Sequence, residues 1–256
     1  MTTAKTWTVP ALLVEDRGAV RVLTMNRPEK RNALNSDLTR ALLDALRAAD
    51  QDDAVAAVVL AGAGQGFCAG ADLSEFKDLT PENHDLVDAR AELTMQLHLA
   101  FSKMAKPVVT AIQGAAMGGG AGLAIAGDMA VMGEGARIGY PETRHGIVAA
   151  IVMANLSRQV GRKAAFELVA LGEAIDARKA LALGMVNRVV PEADLMHDAM
   201  ALAEKLATVK RPAMAATKQL FHEVADLPLE QALERGREAN RRMRAFSNAQ
   251  VRSRKG

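Results

Sequence analysis

VVTAIQGAAMGGGAGLAIAGDMAVM, residues 108–132, is the stretch that decides the fold. Val108 to Gln113 has the make-up of a strand buried inside a sheet. Gly118-Gly119-Gly120 then opens a helix of small residues running to about Gly127, and another strand follows at about Met129–Met132. Strand, glycine turn, helix and strand in so short a span form the repeating unit of an alternating α/β protein. Upstream, Val55 to Leu60 is a second continuous apolar run, and it enters a glycine-rich loop from Gly62 to Asp72. Thr80-Pro81 begins a helix to about Met104. Asn35 or Ser36 caps an earlier helix whose Leu38, Ala41, Leu42, Ala45 and Leu46 recur at helical spacing. Residues 11–25 alternate apolar and polar about Asp16-Arg17-Gly18, the pattern of a β-hairpin. A polar loop, Asn26 to Asn35, carries Arg27, Lys30 and Arg31. Beyond a loop from Gly133 to Gly146 the chain reads as mostly helical, interrupted at Gly161, Gly172, Gly184, Pro191, Pro212 and Pro228. No Pro- or Ser-rich linker divides it.

Composition narrows the function. The 256 residues are 50% hydrophobic and suffice for one large core. Lys and Arg number 32 against 30 Asp and Glu, a net charge of +2, too small for a nucleic-acid or membrane-surface protein. Six Phe, one Trp and one Tyr offer little surface for stacking bases. The single cysteine excludes an internal disulfide and suits a reducing compartment. His84, His98, His145, His197 and His222 show no metal-ligand spacing, so no metal is expected. Met1 to Trp7 lacks the apolar core of a secretory leader, and no run of about 18 uncharged apolar residues exists to span a membrane. The expectation is a cytoplasmic protein.

Three loops carry the candidate chemistry: Gly66-Phe67-Cys68-Ala69-Gly70-Ala71-Asp72-Leu73, Gly114 to Gly122, and Gly139-Tyr140-Pro141-Glu142-Thr143-Arg144-His145-Gly146. In the first two, a buried strand ends in glycines that leave backbone N–H groups open. In the second these groups also open a helix, whose dipole favours negative charge. Two such loops converging would form an oxyanion hole for an enolate, although glycines also occur wherever the backbone simply needs unusual torsions. Neither G-x-G-x-x-G nor G-x-x-x-x-G-K-[ST] is present, so dinucleotide and P-loop sites are excluded.

Four motifs in order make the chain resemble the enoyl-CoA hydratase/isomerase (crotonase) family over nearly its whole length. Arg27-Pro28-Glu29-Lys30-Arg31-Asn32-Ala33-Leu34-Asn35 is similar to its early coenzyme A-binding segment. Ala69-Gly70-Ala71-Asp72-Leu73 is similar to its A-G-A-D-[LI] loop, and Met117-Gly118-Gly119-Gly120 with Leu123, Ala124 and Asp128 to its central helix start. Ile138-Gly139 followed by Pro141-Glu142 is similar to its F-G-x-P-E element. The resemblance implies an α/β fold, a crotonase-like spiral of repeated ββα units over residues 1–190. A C-terminal helical segment, 191–256, would drive trimers or hexamers. It implies oxyanion-hole donors at the Ala71 and Gly119 N–H groups and an acid/base at Glu142. Arg27, Lys30, Arg31, Ala33, Ala69, Asp72 and Leu73 would bind the acyl-CoA thioester, and Phe246, with nearby cations, would cover coenzyme A in a neighbouring subunit. Coenzyme A enters as part of the substrate, so no separate cofactor is implied.

One departure directs the expected chemistry. Hydratases of the family carry a second glutamate three residues after the oxyanion glycine, and this chain has Gly122 there. A lone Glu142 could still remove a proton from C2 or C4 of an enoyl thioester and return it at the other end. The expectation is therefore a Δ3–Δ2 isomerase, with an enoyl-CoA hydratase or a non-catalytic acyl-CoA binder as alternatives. Cys68 has no partner base nearby in the sequence and reads as core. Lys30 and Arg31 read either as phosphate ligands or as a solvated loop. The Arg-rich stretch from Arg235 to Lys255 reads either as a solvated helix face or as part of the subunit contact.

Overall fold

The computed structural model describes the backbone of residues 10–253 and side chains as far as residue 244. Strands β1 (Leu12–Arg17) and β2 (Val20–Met25) form the expected hairpin, Leu12 opposite Met25, and Gly18 at φ +61° makes the turn. β2 then pairs in parallel with β3 (Ala57–Gly62), β3 with β4 (Val108–Ile112), β4 with β6 (Met129–Gly133) and β6 with β9 (Arg188–Val190). A second sheet joins β5 (Ala115–Met117), β7 (Arg137–Gly139) and β8 (Ile175–Asp176).

The period-two rule explains why the large sheet is covered on both faces. Leu23, Met25, Val58, Leu60, Val108, Ile112 and Met132 face a core shared with α1 (Ser36–Gln51) and α2 (His84–Lys103). Their neighbours Val20, Val22, Ala57, Val59, Val109, Ala111 and Val131 face the other way, onto Leu195, Ala199, Leu202 and Ala203 of α7 (Leu195–Ala207). α7, in the segment 191–256, covers the sheet's second face. Two expectations are corrected. α2 starts at His84, since residues 80–83 form a turn closed by the Asn83 N–H to the Thr80 carbonyl at 2.9 Å. β8 and β9 fall in the stretch read as helical and are too short to show an alternating pattern. α1 begins as expected, with the Asn35 side chain accepting the Leu38 N–H at 3.0 Å.

Beyond α7 lie α8 (Arg211–Val224) and α9 (Leu229–Ser253). α8 is fastened by Lys218, whose side chain is only 4% exposed and whose Nζ lies 2.7 Å from Asp128 Oδ2 and 2.9 Å from the Lys106 carbonyl. Asp128 Oδ2 also accepts the Val108 N–H at 2.7 Å, so one carboxylate ties α8 to the start of β4. Burial works against the Lys218 charge, and Asp128 holds it in place. Lys218→Ala removes one partner of this pair and is expected to cost about 3 kcal/mol, the low end of the range because Asp128 retains some contact with water. A urea-unfolding curve measures it; a loss under about 1 kcal/mol contradicts the assigned role.

Candidate active site

The site grows from the polar loop after β2. Pro28–Lys30 make a short 3-10 turn, and Arg31 (φ 50°) and Asn32 (φ 56°) follow in the left-handed region. The fully buried Asn32 side chain accepts the Arg27 N–H at 2.9 Å and donates to the carbonyls of Ala63 (2.9 Å), Gly66 (2.9 Å) and Phe67 (3.1 Å). One amide therefore pins the early loop to the glycine-rich loop. Asn32 stood inside a quoted motif, but no role was legible for it. The available signal was an amide residue in a tight polar loop, a residue type that tolerates positive φ.

The glycine-rich loop runs beside β5. Cys68 donates its N–H to the Ala115 carbonyl at 3.1 Å and accepts the Met117 N–H at 2.9 Å. On its other edge Leu34 N–H reaches the Gly70 carbonyl at 2.7 Å, and Asp72 N–H the Leu34 carbonyl at 3.0 Å. This double clamp leaves the Ala71 N–H without an acceptor among the described residues. The Gly119 N–H, first in α3 (Gly119–Ala126), is likewise open. The two donors are neighbours: a carbon built on Gly119 would lie 3.8 Å from the Ala71 nitrogen. Gly70, at φ +96°, must be glycine, because a carbon there would stand 2.7 Å from the Met117 carbonyl oxygen and 3.4 Å from the Gly119 nitrogen.

Glu142 reaches the same place from the turn Pro141–His145 that follows β7. Gly118, which donates its N–H to the Gly139 carbonyl at 2.8 Å, joins the end of β7 to the start of α3. A carbon on Gly118 would stand 2.9 Å from Glu142 Oε1, so the carboxylate rests against bare backbone. Glu142 Oε2 is buried with no hydrogen-bond partner among the described residues, as is the hydroxyl of Tyr140. Burial raises the Glu142 pKa above the ordinary carboxylate value, and a hydrogen bond from its own backbone and the nearby His145 only partly oppose it. A carboxyl whose pKa is raised by folding contributes stability below its unfolded value and loses it as pH rises through the folded one. Glu142→Gln should therefore melt above the wild type at neutral pH, with the difference vanishing as pH falls below about 4.3. Thermal melts across pH measure this; a wild type more stable than Glu142→Gln at pH 7 contradicts it.

Gly122 lies one helical turn beyond Gly118, and its surroundings are filled. No space is left there: an added carbon would collide with Val152 Cγ1 and come within 2.9 Å of His98 Cε1. Val152 belongs to α4 (Ala150–Gln159), as does Asn155, whose Nδ2 lies 3.2 Å from His98 Nδ1. His98, on α2, is 8% exposed, and burial lowers its pKa to about 4. Sequence reasoning considered His98 only as a metal ligand and missed this position.

The remaining candidates divide. Arg27 and Asp72 are occupied with each other, Nη2 to Oδ2 at 2.8 Å, with side chains 16% and 7% exposed. Asp72 also accepts the Ser74 hydroxyl at 2.7 Å, and these bonds, Ser74's first, hold its pKa below the usual value. The pair therefore braces the backbone flanking Ala71 from within. Ala33 is buried, and its carbonyl accepts from Arg27. Lys30, Arg31, Ala69 and Leu73 are exposed. The Phe246 side chain lies outside the described residues. Cys68 is buried, its thiol 3.1 Å from the Asn32 carbonyl and its pKa pushed up to about 12 by burial, as a core residue requires. Arg144 bonds the Leu171 carbonyl at 3.0 Å.

Two open N–H donors beside a buried carboxylate are the equipment for making and quenching an enolate. The chain belongs to the enoyl-CoA hydratase/isomerase family, whose sequence profile matches residues 15–256. Its relatives include the 2,3-dehydroadipyl-CoA hydratase of Escherichia coli (strain K12), 37% identical over 89% of this chain and 88% of that one. The short-chain-enoyl-CoA hydratase of Clostridium acetobutylicum is 35% identical over 87% of this chain and 85% of its own length. The crystal structure of an enoyl-CoA hydratase from Mycobacterium smegmatis superposes with a TM-score of 0.85 at 34% identity, covering 90% of each chain. The fold is thus the crotonase fold, and the protein is an acyl-CoA enzyme of that family. No helix among the described residues is long and apolar enough to cross a membrane.

Proposed function

We propose that the protein isomerises an enoyl-CoA thioester between its Δ3 and Δ2 forms, with Glu142 as sole acid/base. The observation that carries this is what surrounds α3: Glu142 rests on Gly118, and the position one turn further along is filled by Val152 and His98 rather than by a second carboxylate. The Glu142 carboxylate takes a proton from C2 of a 3-enoyl thioester, and the electron pair moves onto the thioester oxygen. The Ala71 and Gly119 N–H groups hold that oxygen, each contributing about 3 kcal/mol to the transition state. Protonated Glu142 then returns the proton at C4, leaving the double bond between C2 and C3. A carboxyl with a raised pKa suits this work, because it gives and takes a proton with similar ease. Lys30 and Arg31 are suited to the phosphates of coenzyme A. Association into trimers or hexamers, as the family resemblance implies, is part of the proposal.

Hydration is the second reading, favoured by the names of the relatives in Escherichia coli and Clostridium acetobutylicum. Mixing with crotonyl-CoA and, separately, with a 3-enoyl-CoA decides between them. Conversion of the 3-enoyl substrate with unchanged absorbance of crotonyl-CoA supports isomerisation. Loss of the conjugated-enoyl absorbance, with the 3-enoyl substrate untouched, overturns it in favour of hydration.

A further inference from the structure

The isomerisation steps leave His98 unused, although its ring edge fills the place beside Gly122. The amide nitrogen of Asn155 can only donate, so at 3.2 Å it makes His98 Nδ1 an acceptor and puts the ring proton on Nε2. Nε2 has no partner among the described residues, while the residue keeps 8% exposure. With a pKa near 4, the ring remains neutral at physiological pH and serves as a donor, not a base. The Gly122 N–H bonds the Gly118 carbonyl at 3.0 Å, so His98 at Gly122 and Glu142 at Gly118 stand one turn apart at the start of α3.

We propose that His98, oriented by Asn155, donates a hydrogen bond from Nε2 to an oxygen at C3 of the acyl group, either an adding water or the hydroxyl it becomes. This rests on the acyl group lying between Glu142 and the two open N–H donors. In the addition, the water oxygen bonds to C3 as the C2=C3 π pair passes to the thioester oxygen. Glu142 takes one water proton and then delivers a proton to C2 as the enolate collapses. His98 neither gains nor loses a proton; it positions the oxygen. In the isomerisation reading the same donor meets the C3 hydroxyl of a bound 3-hydroxyacyl thioester, and in the hydration reading the adding water.

The test is equilibrium binding, which does not depend on turnover. Calorimetry compares 3-hydroxybutyryl-CoA with butyryl-CoA on the full chain, as wild type, His98→Phe and His98→Gln. The wild type is expected to prefer the hydroxylated ligand by about tenfold, the worth of one good hydrogen bond. His98→Phe keeps butyryl-CoA affinity and loses the preference; His98→Gln, which retains a donor, recovers part of it. A wild type that binds both ligands equally, or a preference that survives in His98→Phe, overturns the proposal while leaving the acyl-CoA site intact. A wild type that binds neither overturns this proposal and the acyl-CoA reading together. If His98→Phe fails to fold, His98→Gln with full wild-type selectivity supports the donor, and with no selectivity overturns it.

Discussion

Glu142→Gln is expected to lower turnover by at least about 100-fold while acyl-CoA binding is retained. The amide is nearly isosteric with the carboxyl, so the contact with Gly118 and the turn Pro141–His145 should survive. What disappears is the ability to carry a proton between two carbons. The loss is large because the next position along α3 is occupied by Val152 and a neutral histidine rather than by a second carboxylate. In steady-state kinetics the fall should appear in kcat with little change in KM, the pattern of an interaction used only in the transition state. Unchanged turnover would remove Glu142 from the mechanism. Together with the stability gain expected of the same substitution, this would make Glu142 a residue retained at a cost to the fold.

Gly70→Ala is expected to lower kcat by about 100- to 1000-fold, the effect of losing one oxyanion donor, although Gly70 itself donates nothing to the oxyanion. Its φ of +96° disfavours any side chain, and the new carbon would press on the Met117 carbonyl 2.7 Å away. It would also stand 3.4 Å from the Gly119 nitrogen, within the space between the two donors. Relief requires the loop to withdraw from β5, carrying the Ala71 N–H with it. A stability loss of about 1–3 kcal/mol should accompany the kinetic one. Kinetics at a temperature where the variant is fully folded separate the two effects. A folded variant with wild-type kcat contradicts the oxyanion-hole assignment.

Much of this architecture is legible in the chain because its signals are local. Buried runs at β3 and β4, the capped periodicity of α1 and the glycines before α3 each mark their element without help from distant residues. The short strands β8 and β9 carry no such signal; they exist because β7 and β6 offer edges to pair with. α7 shows the same limit, since its amphipathic pattern gives a helix but not the sheet face it covers. At the site, Glu142, Ala71 and Gly119 are pointed to by the family resemblance of three short motifs, each a run of consecutive residues. Arg27 and Asp72 stand 45 positions apart, and their charges alone do not reveal that they pair with each other. His98, Val152 and Asn155 converge on Gly122 from two different helices, and no spacing in the sequence announces that meeting.

The central claim is that Glu142 makes and quenches an enolate held by the Ala71 and Gly119 N–H groups. Mass spectrometry of a 3-enoyl-CoA equilibrated with the protein in deuterium oxide tests it most directly. Deuterium should enter the acyl chain at C2 and C4 with the wild type and remain absent with Glu142→Gln over the same interval. Equal labelling by both proteins would contradict the account.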